Sequence, residues 1–184
     1  MRVAVLVEGE SDRAAVLALA ARRGGDLDGL EVVAMGGITN VARYVAELGP
    51  AGRGLRLAGL YDAGEERFVR RALERGGLQP GPGPEGLAER GFHRCDRDLE
   101  DELLRALGVE RVLAVVEAQG DLGAFRGLQQ QPAQRDRPTE DQLHRFLGSG
   151  SGRKIRYARL LADAVADDEV PAPIERVLRA SIAT

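Results

Sequence analysis

Cysteine and lysine each occur once in this sequence, at Cys95 and Lys154, histidine occurs twice, and tryptophan is missing. A single cysteine closes no internal disulfide, and Cys95 with His93 and His144 makes no zinc-type cluster. Any metal in this chain is therefore expected on oxygen ligands. No apolar run approaches the roughly 20 residues that cross a bilayer, and the first residues show no basic segment followed by a long apolar one. The expectation is a cytoplasmic protein with no membrane partner. Neither histidine has a Ser or Cys nucleophile in a recognisable motif, so both read as structural or exposed. Cys95, closing an apolar segment, reads as buried filler.

What is present is ordinary for a globular chain: 43% hydrophobic and 30% charged residues over 184 positions, enough for one core of good size. The net charge of −3 argues against a basic coat over the whole surface. Locally the balance changes. Residues 121–160 hold eight basic side chains against four acids, a surplus able to face phosphates or simply to solvate a helical surface. Of the 26 basic residues only Lys154 is not arginine. An Arg-rich composition that keeps one lysine points to a position needing a compact ammonium, which a planar guanidinium does not replace.

Hydrophobic periodicity divides the chain into alternating elements. "RVAVLV" (2–7), "LEVVAM" (30–35) and "LRLAGLY" (55–61) read as buried strands, and "GFHRC" (91–95) as a weaker fourth. Between them lie helical stripes. The first is capped by Ser11 and ends at Gly24 and Gly25; the second, after "GGITN", has Thr39 or Asn40 as its cap; the third follows "DAGEE". Residues 76–86, rich in Gly and Pro, read as a loop. "DLEDELLRALG" is a helix capped by Asp98, "RVLAVVEA" (111–118) is ambiguous between strand and helix, and the remainder is helical with a break at 129–138.

Alternating strands and helices imply a mainly parallel sheet covered on both faces, whose ligands bind at the carboxyl ends of the strands. Glu8, Gly36, Gly37 and Asp62 fall at that edge, with Asp12, Glu65 and Glu66 in the turns just beyond. Carboxylates from separate elements around an open edge suit Mg²⁺ or Mn²⁺, which keep waters and leave room for phosphates. Acids in a first helical turn also favour the helix electrostatically, and spacing alone does not separate the two roles. Asn40 is placed to touch a phosphate at the same edge.

The residue order "VEGESD", "GLYDAGE", "DLEDELLRALG" and "GRKIRYARLLA" resembles the Toprim domain, and more closely the form found in the overcoming-lysogenisation-defect (OLD) nucleases. The likeness implies a Rossmann-like Toprim α/β core over residues 1–120, with a helical extension over 121–184 that packs on the core and carries Lys154. It further implies a divalent-metal-dependent phosphodiester hydrolase, an endonuclease or nickase acting on DNA. Glu8 matches the family's glutamate, a metal ligand or general base, and Asp12 the ligand that accompanies it. Asp62 matches the first acid of an Asp-x-Asp motif whose second acid is replaced by Gly64, which implies either that Glu65 substitutes or that one metal is bound weakly. Glu100 is the match to a later carboxylate, in competition with Asp98, Asp101 and Glu102. Lys154 matches the basic residue that such sites use near the scissile phosphate, where an ammonium stabilises transition-state charge, and Arg153 and Arg156 flank it as nucleic-acid contacts. The chain has no GxxxxGK[ST] phosphate loop, so an ATPase would be a separately encoded partner. The competing readings are a non-catalytic Toprim module that binds nucleic acid or a nucleotide, and a small RNA-processing nuclease. Tyr44, Tyr61 and Tyr157 are nominal candidates for a topoisomerase-type nucleophile.

Overall fold

In the computed structural model, which describes residues 2–23 and 29–182, strand β1 (Val3–Val7) is buried along its whole length. Side chains alternate across a strand, so Val3, Val5 and Val7 enter one apolar layer while Ala4 and Leu6 enter another. A strand covered on both faces belongs at the centre of a parallel sheet. β1 pairs in parallel with β2 (Leu30–Ala34) on one side and β3 (Arg56–Asp62) on the other, and β4 (Phe92–Cys95) completes the order β2-β1-β3-β4. Gly59 in β3 is required by packing: a Cβ there would sit 2.8 Å from both the Leu6 carbonyl oxygen and the Phe92 ring.

Helices α2 (Val41–Leu48), α3 (Glu66–Arg75) and α4 (Gly83–Ala88) cover the Ala4/Leu6 face through Val41, Val45, Val69, Leu73 and Leu87. The segment expected as loop thus contains the start of α4, where Pro84 presets φ for a first helical turn. Helix α1 (Glu10–Arg22) lies on the opposite face. Its N-cap is Gly9 and not Ser11: Asp12 at the third helical position reaches back to accept the Gly9 N–H at 2.9 Å, which starts the helix earlier. The expected stop at Gly24 and Gly25 lies outside the described residues.

Helix α5 (Leu99–Ala118) is capped by Asp98, whose carboxylate accepts the Asp101 N–H at 2.8 Å. It bends at Gly108, where φ is 73°, and resumes through residues 111–118, which are helical. Val112 and Val116, one turn apart, are the buried face of that second half. Helices α6 (Leu122–Gln129), α7 (Thr139–Leu147) and α8 (Ser151–Ala164) build outward from α5, joined by edge-on contacts of Phe146 with Phe125 and Tyr157. Helix α9 (Ala172–Ile182) returns to the sheet, with Ile174, Val177 and Leu178 fully buried in the same apolar cluster as Val5 and Leu161. Among the described residues, no helix is long and apolar enough to cross a membrane.

Candidate metal centre

The acidic edge begins with a backbone device. After β2 the chain turns through Gly36 (φ 71°) and Gly37 (φ 117°), conformations that L side chains rarely adopt. Both N–H groups thereby converge on the Glu8 carbonyl oxygen, at 2.9 and 3.1 Å, and fix the residue that follows β1. Asn40 braces the same turn, donating from Nδ2 to the carbonyls of Met35 (2.9 Å) and Gly36 (3.3 Å). Its amide N–H groups are thus committed to the turn.

Strand β3 delivers Asp62 beside Glu8, and a short 3-10 turn over Ala63–Glu65 brings Glu65 back to them. One carboxylate oxygen from each of Glu8, Asp62 and Glu65 lies within 4.8 Å of the others. Burial first, then the charges of Glu65, Asp98, Glu8 and Asp12, push the Asp62 carboxyl up to about 8. Burial and Glu8 raise that of Glu65, whose Oε2 is buried without a hydrogen-bond partner among the described residues. Three crowded carboxylates with an orphaned oxygen fit a hard divalent cation, which supplies the charge the protein leaves out.

A second group adjoins the first. Glu100, 4% exposed, points from the first turn of α5 toward Lys154 of α8, whose Nζ stands 3.3 Å from Oε1. Neither buried Glu100 oxygen has a well-formed hydrogen bond among the described residues. Asp12 faces the same pair, and its carboxyl is pushed up to about 7, chiefly by burial and then by Glu100, against the opposing effects of the Gly9 N–H and Lys154. Partial burial works against the Lys154 ammonium, yet Glu100, Asp12 and Asp98 outweigh it and hold its pKa above the usual lysine value.

Of the four acids in competition on α5, the other three are occupied. Asp98 caps the helix and meets His144 Nε2 at 2.7 Å; Asp101 pairs with Arg105; Glu102 accepts the Asp96 N–H and also faces Arg105. The sequence reading passed over the Asp98–His144 pair, because 46 positions separate its members and no local spacing connects them. Despite the cost of burial, His144 and the Asp101 N–H keep the Asp98 carboxyl low.

The arginines beside Lys154 turn away from it. Arg153 lies over the Phe146 ring and donates to Ser149 Oγ, while Arg156 lies over Tyr157 and pairs with Asp121. Tyr157 also donates to Asp121, and its hydroxyl is pushed up by burial and that bond. Burial likewise raises Tyr61, to about 12, and the Cys95 thiol. These groups are poor nucleophiles.

The model of the overcoming lysogenization defect protein-like TOPRIM domain matches residues 1–58. Over a longer span, the chain is similar to the C-terminal region of the OLD protein of Xanthomonas campestris pv. campestris, in a structure phased with platinum. The two are 30% identical, with a TM-score of 0.71 over 98% of this chain and 91% of that one. This chain belongs to the OLD-like Toprim family. The C-terminal region of the Burkholderia pseudomallei OLD protein is 25% identical, with a TM-score of 0.70 over 98% of this chain and 96% of that one. No curated protein matches the chain. OLD-like Toprim membership carries with it a nuclease-type Toprim fold, and here the acidic edge of that fold contains Gly64, around which a Cβ would meet nothing within 4 Å.

Proposed function

We propose that this OLD-like Toprim chain is a divalent-metal-dependent phosphodiester hydrolase, an endonuclease or nickase, acting on DNA. The observation that carries the reading is the convergence of Glu8, Asp62 and Glu65 within 4.8 Å of one another at the carboxyl edge of a parallel sheet. Those three side chains hold Mg²⁺ or Mn²⁺, with Asp12 and Glu100 extending the acidic wall toward Lys154. When bound, the cation supplies Lewis-acid polarisation of a phosphoryl oxygen and a water of lowered pKa.

The chain's own groups do the rest. Glu8, held by the glycine turn, keeps its carboxylate at a fixed place from which to orient a water or take its proton. The Lys154 ammonium, kept charged by three carboxylates, stabilises negative charge gathering on the non-bridging phosphate oxygens. Arg153 and Arg156 contribute only if nucleic acid draws them from Phe146 and Asp121. Asn40 contributes through the turn and not through a phosphate. A cytoplasmic location accompanies this reading.

Supercoiled plasmid incubated with the protein and Mn²⁺ or Mg²⁺ tests it, with Glu8→Gln and Lys154→Ala in parallel. Nicking that requires the metal, stops on chelation and is lost in both variants is the expected result. Plasmid left intact under every metal condition overturns the hydrolase reading.

A further inference from the structure

Next to Lys154, the first turn of α5, the chain before α7, α7 itself and the start of α8 line a half-open pocket of about 300 Å³. That volume is at the lower end for small-ligand sites, enough for a phosphate with part of its nucleoside. Acids and bases share its wall, and most of them are matched. Glu100 faces Lys154, Asp98 faces His144, and Asp141 accepts from Arg97 at 2.9 Å. Arg137 and Arg145 line the same wall, both exposed, and neither has an acidic partner or a side-chain hydrogen bond among the described residues. The surplus is therefore two arginines on the wall of one small space.

Guanidinium presents a planar fork of donors that matches phosphate oxygens two at a time. The pocket shares Lys154 and Glu100 with the acidic edge, so a strand whose scissile phosphate faces Lys154 would continue along the wall that carries Arg137 and Arg145. We propose that this pocket is a phosphate subsite for the nucleic-acid strand, in which Arg137 and Arg145 grip the phosphate next to the one that reacts. The subsite rests on the hydrolase reading for its ligand class. The phosphate has two sources of the same chemistry: an internal diester of a continuing strand, or the monoester at a strand end.

The test compares wild type, the Arg137→Ala/Arg145→Ala double variant, and a charge-matched control, Arg71→Ala/Arg75→Ala, whose exposed arginines lie on α3 across the sheet. Labelled single-stranded deoxyoligonucleotides carry a 5′-phosphate, a 3′-phosphate or hydroxyl ends, and binding is read by anisotropy in Ca²⁺ across a salt series. The double variant is expected to bind about tenfold more weakly, with a salt slope shallower by about 1.4, as removal of two phosphate contacts to a single strand requires. The control is expected to bind as wild type. A loss confined to one phosphate-ended probe assigns the subsite to a strand terminus; an equal loss on all probes assigns it to an internal phosphate. Equal affinity of wild type and double variant, equal loss in the control, or no binding by wild type overturns the subsite. Plasmid nicking separates this from the hydrolase reading. A wild type that binds through Arg137 and Arg145 without nicking keeps the subsite and removes the hydrolase, and nicking with unchanged binding in the double variant does the reverse.

Discussion

Asp62 sits half-buried among four other acids, and its carboxyl holds its proton to about pH 8. A carboxyl whose folded pKa lies above its unfolded value binds more protons in the native state across that interval. Native stability then falls as pH rises from about 4 through 8, and Asp12, raised to about 7, adds to the same slope. Solvent around the half-exposed Asp62 keeps the effect modest. We expect the metal-free melting temperature to drop between pH 5.5 and 8.5, and Asp62→Asn to melt higher than wild type at pH 8; a flat wild-type profile would contradict this. Mg²⁺ is expected to raise wild-type stability by about 2.7 kcal/mol at a hundredfold excess over its Kd, and more at pH 8 than at pH 6, where protons compete; melting temperatures with and without Mg²⁺ check this. Two positions further on, Gly64 has open space where a Cβ would stand, without the positive φ that penalises a side chain. Gly64→Asp is expected to tighten Mg²⁺ binding in calorimetry; unchanged affinity would mean that position 64 points away from Asp62.

The elements matter through the turns that join strand to helix. The β2–α2 turn holds the Glu8 carbonyl through two N–H groups, and this depends on Gly37 at φ 117°, ψ 145°. Gly37→Ala is expected to cost about 1–3 kcal/mol in urea unfolding and to weaken metal binding with it, since strain there shifts the strand end that carries Glu8. Unchanged metal affinity at reduced stability would show that Glu8 is held by β1 alone. Helix α5 shows what periodicity reads well and what it leaves open. Its apolar stripe and Asp98 cap were legible, whereas its continuation through 111–118 was not. A short apolar run such as "RVLAVVEA" fits strand and helix alike until neighbours cover one side, and Val112 and Val116 at 0% exposure show which side was covered.

At the scale of the molecule, the helices after residue 121 share one core with the sheet. Arg22 of α1 donates to the carbonyls of Ala162 (2.8 Å) and Val165 (2.7 Å) and to Asp167, and Arg23 pairs with Glu175 of α9. Ile174, fully buried against the sheet layer, ties α9 to that core. Ile174→Ala is expected to cost about 2–5 kcal/mol and to lower the single transition seen by every probe. Two separate transitions would instead show that the sheet and the late helices unfold independently. By itself the sequence determined the alternation of buried strands and helices, and with it the parallel sheet whose carboxyl edge receives Glu8 and Asp62. It did so because apolar period and turn residues are local properties of the chain. Only the tertiary structure decided that Glu100, of four neighbouring acids, faces Lys154, that His144 meets Asp98, and that Arg137 and Arg145 are left without acids among the described residues. Those outcomes depend on how α5, α7 and α8 rotate to bury Leu103, Leu143 and Leu161, and no local pattern encodes that rotation.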